Sequence, residues 1–195
     1  DGYGWPASRI WINPSPNAAN LNMARSYAGT VMLEGTTLSE GRGTTRPLEV
    51  LFGAPDVAAG GVLKVMRQLA PEWLAGCALR ECWFEPTFHK HAGTLCNALM
   101  IHAEGGFYGH EAFRPWRLQA LAFKAIRVLY PDYPIWRDFP YEYERERLAI
   151  DVINGGPSLR QWVDDSAATP HDLDVMASQD EAAWIADVRD VLLYG

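Results

Sequence analysis

The stretch at residues 94–103 constrains the fold most, because nearly every position in it is apolar. It has the length of a β-strand and falls far short of the roughly 20 residues that a membrane-spanning helix needs. A strand that is apolar on both faces belongs inside a sheet, where both faces are covered. We therefore predict a central strand at residues 94–103 and a further strand at residues 78–84.

Two amphipathic helices are predicted near these strands. Apolar residues recur with the helical period at residues 61–69 and, more strongly, at residues 116–130. The side of the second helix opposite its apolar stripe carries three cations, which we interpret as a solvated face: Arg117, Lys124 and Arg127.

Shorter elements are predicted towards both ends of the chain. Strands are predicted at residues 9–12, 29–33 and 48–52, and helices at residues 18–27, 150–154 and 158–164. Thr169 and Pro170 supply a further helix start. The sequence Ser178-Gln-Asp-Glu181 has the pattern of a capping box, which predicts a separate final helix with three residues facing inward: Ile185, Val188 and Leu192.

These elements predict one domain of the α+β or α/β class. The 195 residues are 48% apolar and 12% aromatic, which is enough to fill the core of a single domain. No repeat, low-complexity tract or linker divides the chain. We expect a small mixed β-sheet flanked by helices and followed by a helical C-terminal third.

Charge and cysteine content limit the partners and the covalent structure. Acidic residues outnumber basic ones by 24 to 17, whereas nucleic-acid binding relies on excess Lys and Arg, so we predict no nucleic-acid partner. No apolar run approaches the roughly 20 residues needed to cross a bilayer, so we predict no membrane span. If Cys77 and Cys82 share one extended strand they are too far apart to form a disulfide, and Cys96 is then the better partner for either. The chain opens at Asp1 without a signal pattern, and we expect that it was cut from a longer protein.

The segment at residues 34–47 is rich in groups that bind polar ligands. It directly follows a predicted strand, and loops at strand ends commonly carry ligand sites. A guanidinium can take a carboxylate through two parallel hydrogen bonds, and the glycines on either side of Arg42 let the backbone approach a ligand closely. The candidate residues are Glu34, Ser39, Glu40, Arg42, Thr44, Thr45 and Arg46.

Other motifs give weaker signals. His89-Lys90-His91 places two histidines on alternate residues, but no further Cys or His cluster completes a metal site, so we predict no metal. Ser39 lacks the Gly-x-Ser-x-Gly elbow of an α/β hydrolase, and the glycines and threonines lack the Walker spacing of a phosphate-binding loop. His102 ends an apolar strand and is interpreted as a core histidine.

Six blocks of sequence occur in an order that chance rarely produces. They are Asn13-Pro14-Ser15-Pro16-Asn17; residues 33–47 with Phe52-Gly53-Ala54-Pro55; Pro86-Thr87-Phe88-His89-Lys90-His91 with Gly93 and Cys96; Phe113-Arg114-Pro115; Leu129-Tyr130-Pro131-Asp132; and Tyr141-Glu142-Tyr143-Glu144 through Ile150-Asp151. Together they resemble the exo-β-N-acetylmuramidase family of peptidoglycan glycosidases, NamZ-type and formerly called YbbC-like. The resemblance covers essentially the whole chain, but only the C-terminal part of a family member.

The resemblance implies an amino-terminal Rossmann-like domain that this chain lacks, with the active-site cleft between the two domains. It implies a periplasmic or secreted bacterial hydrolase that needs no cofactor. Such enzymes release N-acetylmuramic acid from the non-reducing ends of peptidoglycan fragments, so the implied partners are muramic-acid saccharides. The rival interpretation is a non-catalytic module that binds muropeptides or docks onto a partner.

Site residues follow from the resemblance. N-acetylmuramic acid bears a lactyl carboxylate that needs an anion selector, and we expect Arg42 or Arg46 either to bind it or to hold Glu40 in place. Glycoside hydrolysis usually uses two carboxyl groups, for which Glu40 and Glu34 are the catalytic candidates. Alternatively, both glutamates orient the arginines while the acid lies on the missing domain.

Two other motifs have two interpretations each. Lys90 or His91 either contacts the sugar or its carboxylate, or has a purely structural hydrogen-bonding role. The second motif comprises Tyr141, Glu142, Tyr143 and Glu144. These residues either line a sugar subsite or have a packing role on the solvated surface.

Overall fold

A three-stranded sheet lies at the centre of the fold. The structure, a computed structural model, describes residues 9–193, so Asp1 lies outside the described residues. The strands are β1 (Val50–Ala54), β2 (Ala78–Phe84) and β3 (Cys96–His102), in the order β1-β3-β2. The predicted central strand and the α+β class are confirmed. All strand pairs are antiparallel, however, where a mixed sheet was expected.

The central strand is covered on both faces. Leu99 and Ile101 of β3 belong to the main hydrophobic core, whereas Ala98 packs with Val50 and Cys82 in a smaller cluster on the opposite face. This two-sided burial explains why the sequence of β3 is almost continuously apolar.

Six α-helices in the described part of the chain surround the sheet. They are α1 (Leu21–Thr30), α2 (Ala59–Leu69), α3 (Pro115–Leu129), α4 (Ala149–Ile153), α5 (Ser158–Asp164) and α6 (Pro170–Val188). The helix α3 packs against α1, α2 and α5, and residues 118–126 of it are all buried. None of the helices within residues 9–193 has the length and apolar character needed to cross a bilayer.

Residues 29–33 do not form the predicted strand. The helix α1 continues into this stretch, and a 3-10 helix, Val31–Gly35, follows it. Gly29 lets α1 approach α3 closely, because a side chain there would collide with the carbonyl oxygen of Pro115. Residues 9–12 form no strand either. Both predictions were wrong because apolar runs this short have no period that separates a strand from other buried structure.

The C-terminal third is helical, as predicted, but its last helix is continuous. The helix α6 begins after Thr169, whose backbone amide donates to the carboxylate of Asp172 in a capping box. The Ser178–Glu181 pattern lies inside this helix and begins no new one. Two of the three predicted inward positions are wrong, since Ile185 is 59% exposed and Leu192 is 61% exposed, whereas Val188 is half-buried.

The three cations of α3 do not form a solvated face. Lys124 is buried, and its ammonium donates to the carbonyl oxygens of Trp162 and Asp165 at 2.9 and 2.5 Å. These carbonyls lie at the C-terminal end of α5, where backbone acceptors lack helical partners and attract cations. Arg117 and Arg127 form ion pairs with acidic residues of α6 and α5.

The three cysteines all carry free thiols. Cys82 and Cys96 lie on neighbouring strands, but their direct partners in the register are Ala98 and Phe84. The disulfide expected to involve Cys96 is therefore not formed. Burial raises the pKa of Cys77 and of Cys96 to about 11, which keeps both thiols protonated at neutral pH.

Candidate functional site

The polar segment forms a loop, residues 36–49, that is held on both sides. Its first residues hydrogen-bond to the backbone of Ile135 on one side and, through the amide of Ser39, to β1 on the other. Gly43 has a φ of 82° and packs against residues 87–88 so tightly that a side chain would collide with their backbone. The loop is therefore fixed against two segments that are distant in sequence.

Glu40 lies at the centre of this arrangement and is fully buried. Its carboxylate accepts hydrogen bonds from Nε of Arg42 at 2.8 Å and Nζ of Lys90 at 3.0 Å, and Nδ1 of His89 lies 3.2 Å away. Burial alone would raise the pKa of Glu40, but the charge and hydrogen bond of Lys90, together with a backbone hydrogen bond and His89, hold the pKa below its ordinary value. Glu40 is therefore ionised at neutral pH and has no surface to offer a ligand.

Glu34 is the more accessible carboxylate, with 22% of its side chain exposed. One oxygen accepts from Nη2 of Arg42 at 2.5 Å and the other from the hydroxyl of Tyr141 at 3.1 Å. Burial and the negative charge of Glu34 raise the pKa of Tyr141 to about 12, so the phenol stays protonated and keeps donating. Glu34 is thus oriented by two donors while part of it still faces solvent.

Arg42 connects both glutamates to a cavity of about 350 Å³. Its Nε and Nη2 atoms are engaged by the two carboxylates, whereas Nη1 has no hydrogen-bond acceptor among the described residues. The cavity is also lined by Trp11 and Tyr27, and its apolar surface comes from Met23 and Leu48. A concave surface with aromatic rings and one convergent polar group is typical of a small-molecule site.

Lys90 has its donors fully used inside the protein. Its ammonium donates to the carbonyl oxygens of Leu33 and Leu38 at 2.6 and 3.0 Å as well as to Glu40. Burial lowers the pKa of Lys90, and the charge of Glu40 opposes that shift. In this conformation Lys90 links the backbone at the start of the loop to the buried carboxylate of Glu40.

The histidines beside Lys90 have different surroundings. His89 and His91 both have positive φ values, 71° and 56°. His89 faces Glu40, whereas Nε2 of His91 is buried and has no hydrogen-bond partner in the described part of the chain. Within residues 9–193, no group of three or more His, Cys, Asp or Glu side chains could hold a metal ion.

Arg46 belongs to a separate network. Its guanidinium binds Glu49, which is fully buried, at 2.6 Å and Glu104 at 3.0 Å. Glu49 also accepts hydrogen bonds from the side chains of Asn20 and Asn22. Arg46 therefore joins the loop to the start of α1 and to the end of β3, and the structure does not bring it together with Arg42.

The hydroxyl groups of the loop serve mainly its own shape. Oγ of Ser39 accepts from the amide of Gly41 at 3.1 Å, and Ser39 is buried. Oγ1 of Thr44 donates to the carbonyl of Gly41 at 2.6 Å and accepts from the amide of Arg46. Thr45 is exposed, so it is the one candidate among the three predicted hydroxyl residues that faces solvent.

A second segment, residues 137–141, forms the other side of the cluster. The backbone amide of Arg137 donates to the carbonyl of Gly35 at 3.0 Å. Its guanidinium lies 4.1 Å from the ring centroid of Phe139, which in turn meets Tyr141 edge-on at 6.1 Å. Arg137, Phe139 and Tyr141 thus form one continuous row of contacts, and Tyr141 in turn binds the carboxylate of Glu34.

The remaining residues of the Tyr-Glu motif face solvent. Tyr143 is fully exposed, and Glu142 is exposed with a φ of 52°. Glu144 accepts from backbone amides of the next turn and from Arg147, and these bonds lower its pKa to about 2. In this motif Tyr141 alone reaches the cluster around Glu34.

Comparison with known families identifies the chain. The family described as "Exo-beta-N-acetylmuramidase NamZ, C-terminal" matches residues 25–194. This chain belongs to the NamZ C-terminal family. The peptidoglycan β-N-acetylmuramidase NamZ of Bacillus subtilis (strain 168) is 34% identical to it over 122 residues, which are 63% of this chain and 28% of that protein.

Two solved structures share the fold of this NamZ C-terminal chain. Both are DUF1343 family proteins from Bacteroides fragilis NCTC 9343. One superposes with a TM-score of 0.62 at 20% identity and covers 88% of this chain and 44% of that protein. The other has a TM-score of 0.61 at 18% identity, with 93% and 43% covered. The chain thus spans less than half the length of the relatives it matches.

The NamZ C-terminal chain brings together four of the residues predicted from sequence: Glu34, Glu40, Arg42 and Lys90. Sequence reasoning missed Arg137, which approaches this cluster from a segment far along the chain. The only signal available was the alternation of Arg137, Phe139 and Tyr141, which places a cation and two aromatic rings on every second residue.

Proposed function

We propose that this chain is one part of a bacterial exo-β-N-acetylmuramidase that acts, in the periplasm or outside the cell, on the muramic-acid ends of peptidoglycan fragments. The family match and the relative named as a peptidoglycan β-N-acetylmuramidase support this proposal. The chain spans 28% of that relative. The rest of such an enzyme, with the Rossmann-like domain expected from the resemblance, would then supply the opposite wall of the cleft.

The observation that carries the proposal is the contrast between the two glutamates. Glu34 is partly exposed and oriented by Arg42 and Tyr141, whereas Glu40 is sealed from solvent. A group that exchanges a proton with a substrate must lie within hydrogen-bond reach of it. Glu34 therefore faces the saccharide, and Glu40 acts through Arg42 and Lys90 as a positioning residue.

A two-carboxylate mechanism then needs a partner from elsewhere. Glycoside hydrolases usually place one carboxyl group on each side of the scissile bond. Since the buried Glu40 cannot touch the substrate in this conformation, the second carboxyl group would come from the other domain, or the 2-acetamido group of the substrate would assist. This division of roles fits a cleft that is shared between two domains.

The cavity beside Arg42 offers a place for part of the saccharide. Tyr27 is 43% exposed at its rim, and Met23 and Leu48 form an apolar floor. An amino sugar carries both polar hydroxyls and an apolar acetamido methyl, which such a mixed surface suits. Tyr27 and Arg42 would hold the sugar next to Glu34.

The decisive experiment compares the full-length protein with this chain on a chromogenic β-N-acetylmuramide. We expect turnover by the full-length protein, and binding without turnover by residues 1–195 alone. Equal turnover by the isolated chain would refute the shared cleft. If the full-length protein binds muropeptides but never hydrolyses the substrate, the rival function, a non-catalytic muropeptide-binding module, replaces the enzyme.

A further inference from the structure

The charges around Glu40 do not cancel. Arg42 and Lys90 neutralise Glu34 and Glu40 through direct ion pairs. His89 adds no charge at neutral pH, because burial lowers its pKa below the ordinary value of 6.5. Arg137 then remains as one further cation. It forms no ion pair with any carboxylate in the described part of the chain, although it is half-buried beside the cluster.

The position of Arg137 beside the cluster rests on two observations. Its backbone is hydrogen-bonded to Gly35, the residue after Glu34. Besides burial, which is the main cause, the charge of Arg137 lowers the pKa values of Lys90 and His89, as a cation does only at short range. An uncompensated guanidinium thus lies at the edge of a group whose other charges are paired.

Phe139 gives this guanidinium a defined orientation. The guanidinium carbon of Arg137 lies 4.1 Å from the Phe139 ring centroid, close enough for a cation–π contact. A guanidinium that stacks on a ring keeps its N–H donors in its own plane, where they can meet a carboxylate in the bidentate geometry. Phe139 packs on Tyr141, which binds Glu34, so the row sets the guanidinium relative to the exposed carboxylate.

We propose that Arg137 is the anion selector of the site and binds the lactyl carboxylate of an N-acetylmuramic acid unit whose reacting end faces Glu34. The choice of ligand rests on the proposed function. The anion-binding character of Arg137 rests only on its unpaired charge and its orientation.

The other cations near the site are less suited to this role. Arg42 already binds two carboxylates, whose negative charges would repel a third. Lys90 has no donor left, and Arg46 is bound to Glu49 and Glu104 in a different network. Arg137 is therefore the cation of this region whose charge no carboxylate of the described residues already balances.

The test uses the full-length protein and two matched chromogenic β-muramides, one with the free lactyl carboxylate and one with that group converted to its primary amide. Arg137→Met keeps an unbranched side chain next to Phe139 and removes the charge. We expect it to lower kcat/KM for the carboxylate substrate by about 10- to 100-fold, mainly through KM, the usual effect of losing a charge-assisted contact. The amide substrate should change by less than about 3-fold, which is within ordinary surface-variant effects. Arg137→Lys should recover part of the loss, because it restores charge without the planar fork.

Arg67→Ala is the matched control, since Arg67 is exposed on α2 and makes no ion pair in the described structure. It should leave both substrates unaffected. Equal losses on the two substrates, or no loss with Arg137→Met, would overturn the role of Arg137 while leaving the enzyme itself intact.

If the wild-type protein hydrolyses neither substrate, the proposed function fails, and calorimetry with N-acetylmuramic acid and N-acetylglucosamine decides the role of Arg137 separately. Selective binding of the acid that Arg137→Met abolishes supports the anion site. Binding of neither sugar, or unchanged binding by the variant, refutes it.

Discussion

Tyr141 donates a hydrogen bond of 3.1 Å to Glu34, which lies 107 positions earlier in the chain. The second oxygen of Glu34 is held by Arg42 from the loop itself. The carboxylate is thus oriented by one donor from each of the two segments that form the site. A group held from two sides is placed more accurately than one supported by a single loop, and catalysis depends on such placement.

Glu34→Gln in the full-length protein should reduce kcat by at least about 100-fold if Glu34 transfers a proton. The free energy of unfolding should change by less than about 1 kcal/mol, because the side chain is partly exposed and the amide can still hydrogen-bond. Steady-state kinetics and urea unfolding measure the two quantities. Wild-type kcat in this variant would remove Glu34 from the chemistry.

Tyr141→Phe tests the orientation of Glu34 without altering its charge. Loss of one hydrogen bond of about 1 kcal/mol should lower kcat by about 5-fold. Tyr143→Phe is the matched control, since Tyr143 is fully exposed and should behave like wild type. Equal effects of the two substitutions would show that the Tyr141 hydroxyl has no special role.

Glu40→Gln should destabilise the fold by about 3 to 5 kcal/mol, because it leaves the buried ammonium of Lys90 without its counter-charge. Glu85→Gln provides the control, as Glu85 is exposed, and it should change the free energy of unfolding by less than about 0.5 kcal/mol. Denaturant unfolding of both variants gives the comparison. A loss no larger than that of the control would mean that the ion pairs of Glu40 add nothing to stability.

Acid should destabilise the protein in two stages. The pKa values of His89 and Glu40 are lowered in the folded state from ordinary values of 6.5 and 4.5. The unfolded chain then binds protons that the native state does not, so stability is complete above each ordinary pKa and is lost as the pH falls from that value through the lower pKa of the folded state. Unfolding free energies between pH 8 and pH 3 should decline first below about 6.5 and again below about 4.5.

Two variants separate these stages. His89→Asn, which tolerates the positive φ of 71°, should remove the upper decline. Glu40→Gln should reduce the lower one, to which Glu144 also contributes because its pKa is lowered to about 2. An unchanged pH profile in either variant would assign that stage to another group.

Gly29→Ala should destabilise the fold by about 1 to 3 kcal/mol, because the new methyl group meets the backbone of Pro115 and forces α1 away from α3. Gly156→Ala is the control, since nothing lies within 4 Å of a side chain there. That variant should be neutral or slightly stabilised by the lower entropy of its unfolded chain. Similar melting temperatures for both variants would contradict the close helix contact.

Elements with a clear local period were predictable from the sequence. The bounds of β2 and α5 agree with those predicted, and β3 is central because its apolar run needs cover on both faces. Residues 29–33 were not predictable in the same way, because the elements that pack against them lie far along the chain: α3 against α1, and α4 against the 3-10 helix. Trp184 and Ile185 are apolar residues of α6 that the structure leaves exposed. An apolar pattern does not reveal whether the rest of the domain extends far enough to cover such positions.

The same distinction between local pattern and tertiary packing applies to the residues of the site. Glu34, Glu40 and Arg42 lie close together in the sequence, and the structure brings their side chains into contact. Arg46 belongs to the same sequence segment, but the chain turns at Gly41 and Gly43, which have positive φ values, and Arg46 pairs with Glu49 instead. Arg137 was missed because only tertiary packing brings its segment to Gly35, and no local pattern of charge or period records that approach.

The three hydrogen bonds of Lys90 have a consequence for affinity. One ammonium joins the carbonyl oxygens of Leu33 and Leu38 to Glu40, and so closes the stretch between them into a ring. The conformational entropy of that stretch is lost when the protein folds, and a ligand that binds there does not have to order it. Differences in affinity between two ligands should then come from the contacts that each ligand makes with the cleft, because the loop does not rearrange when either binds.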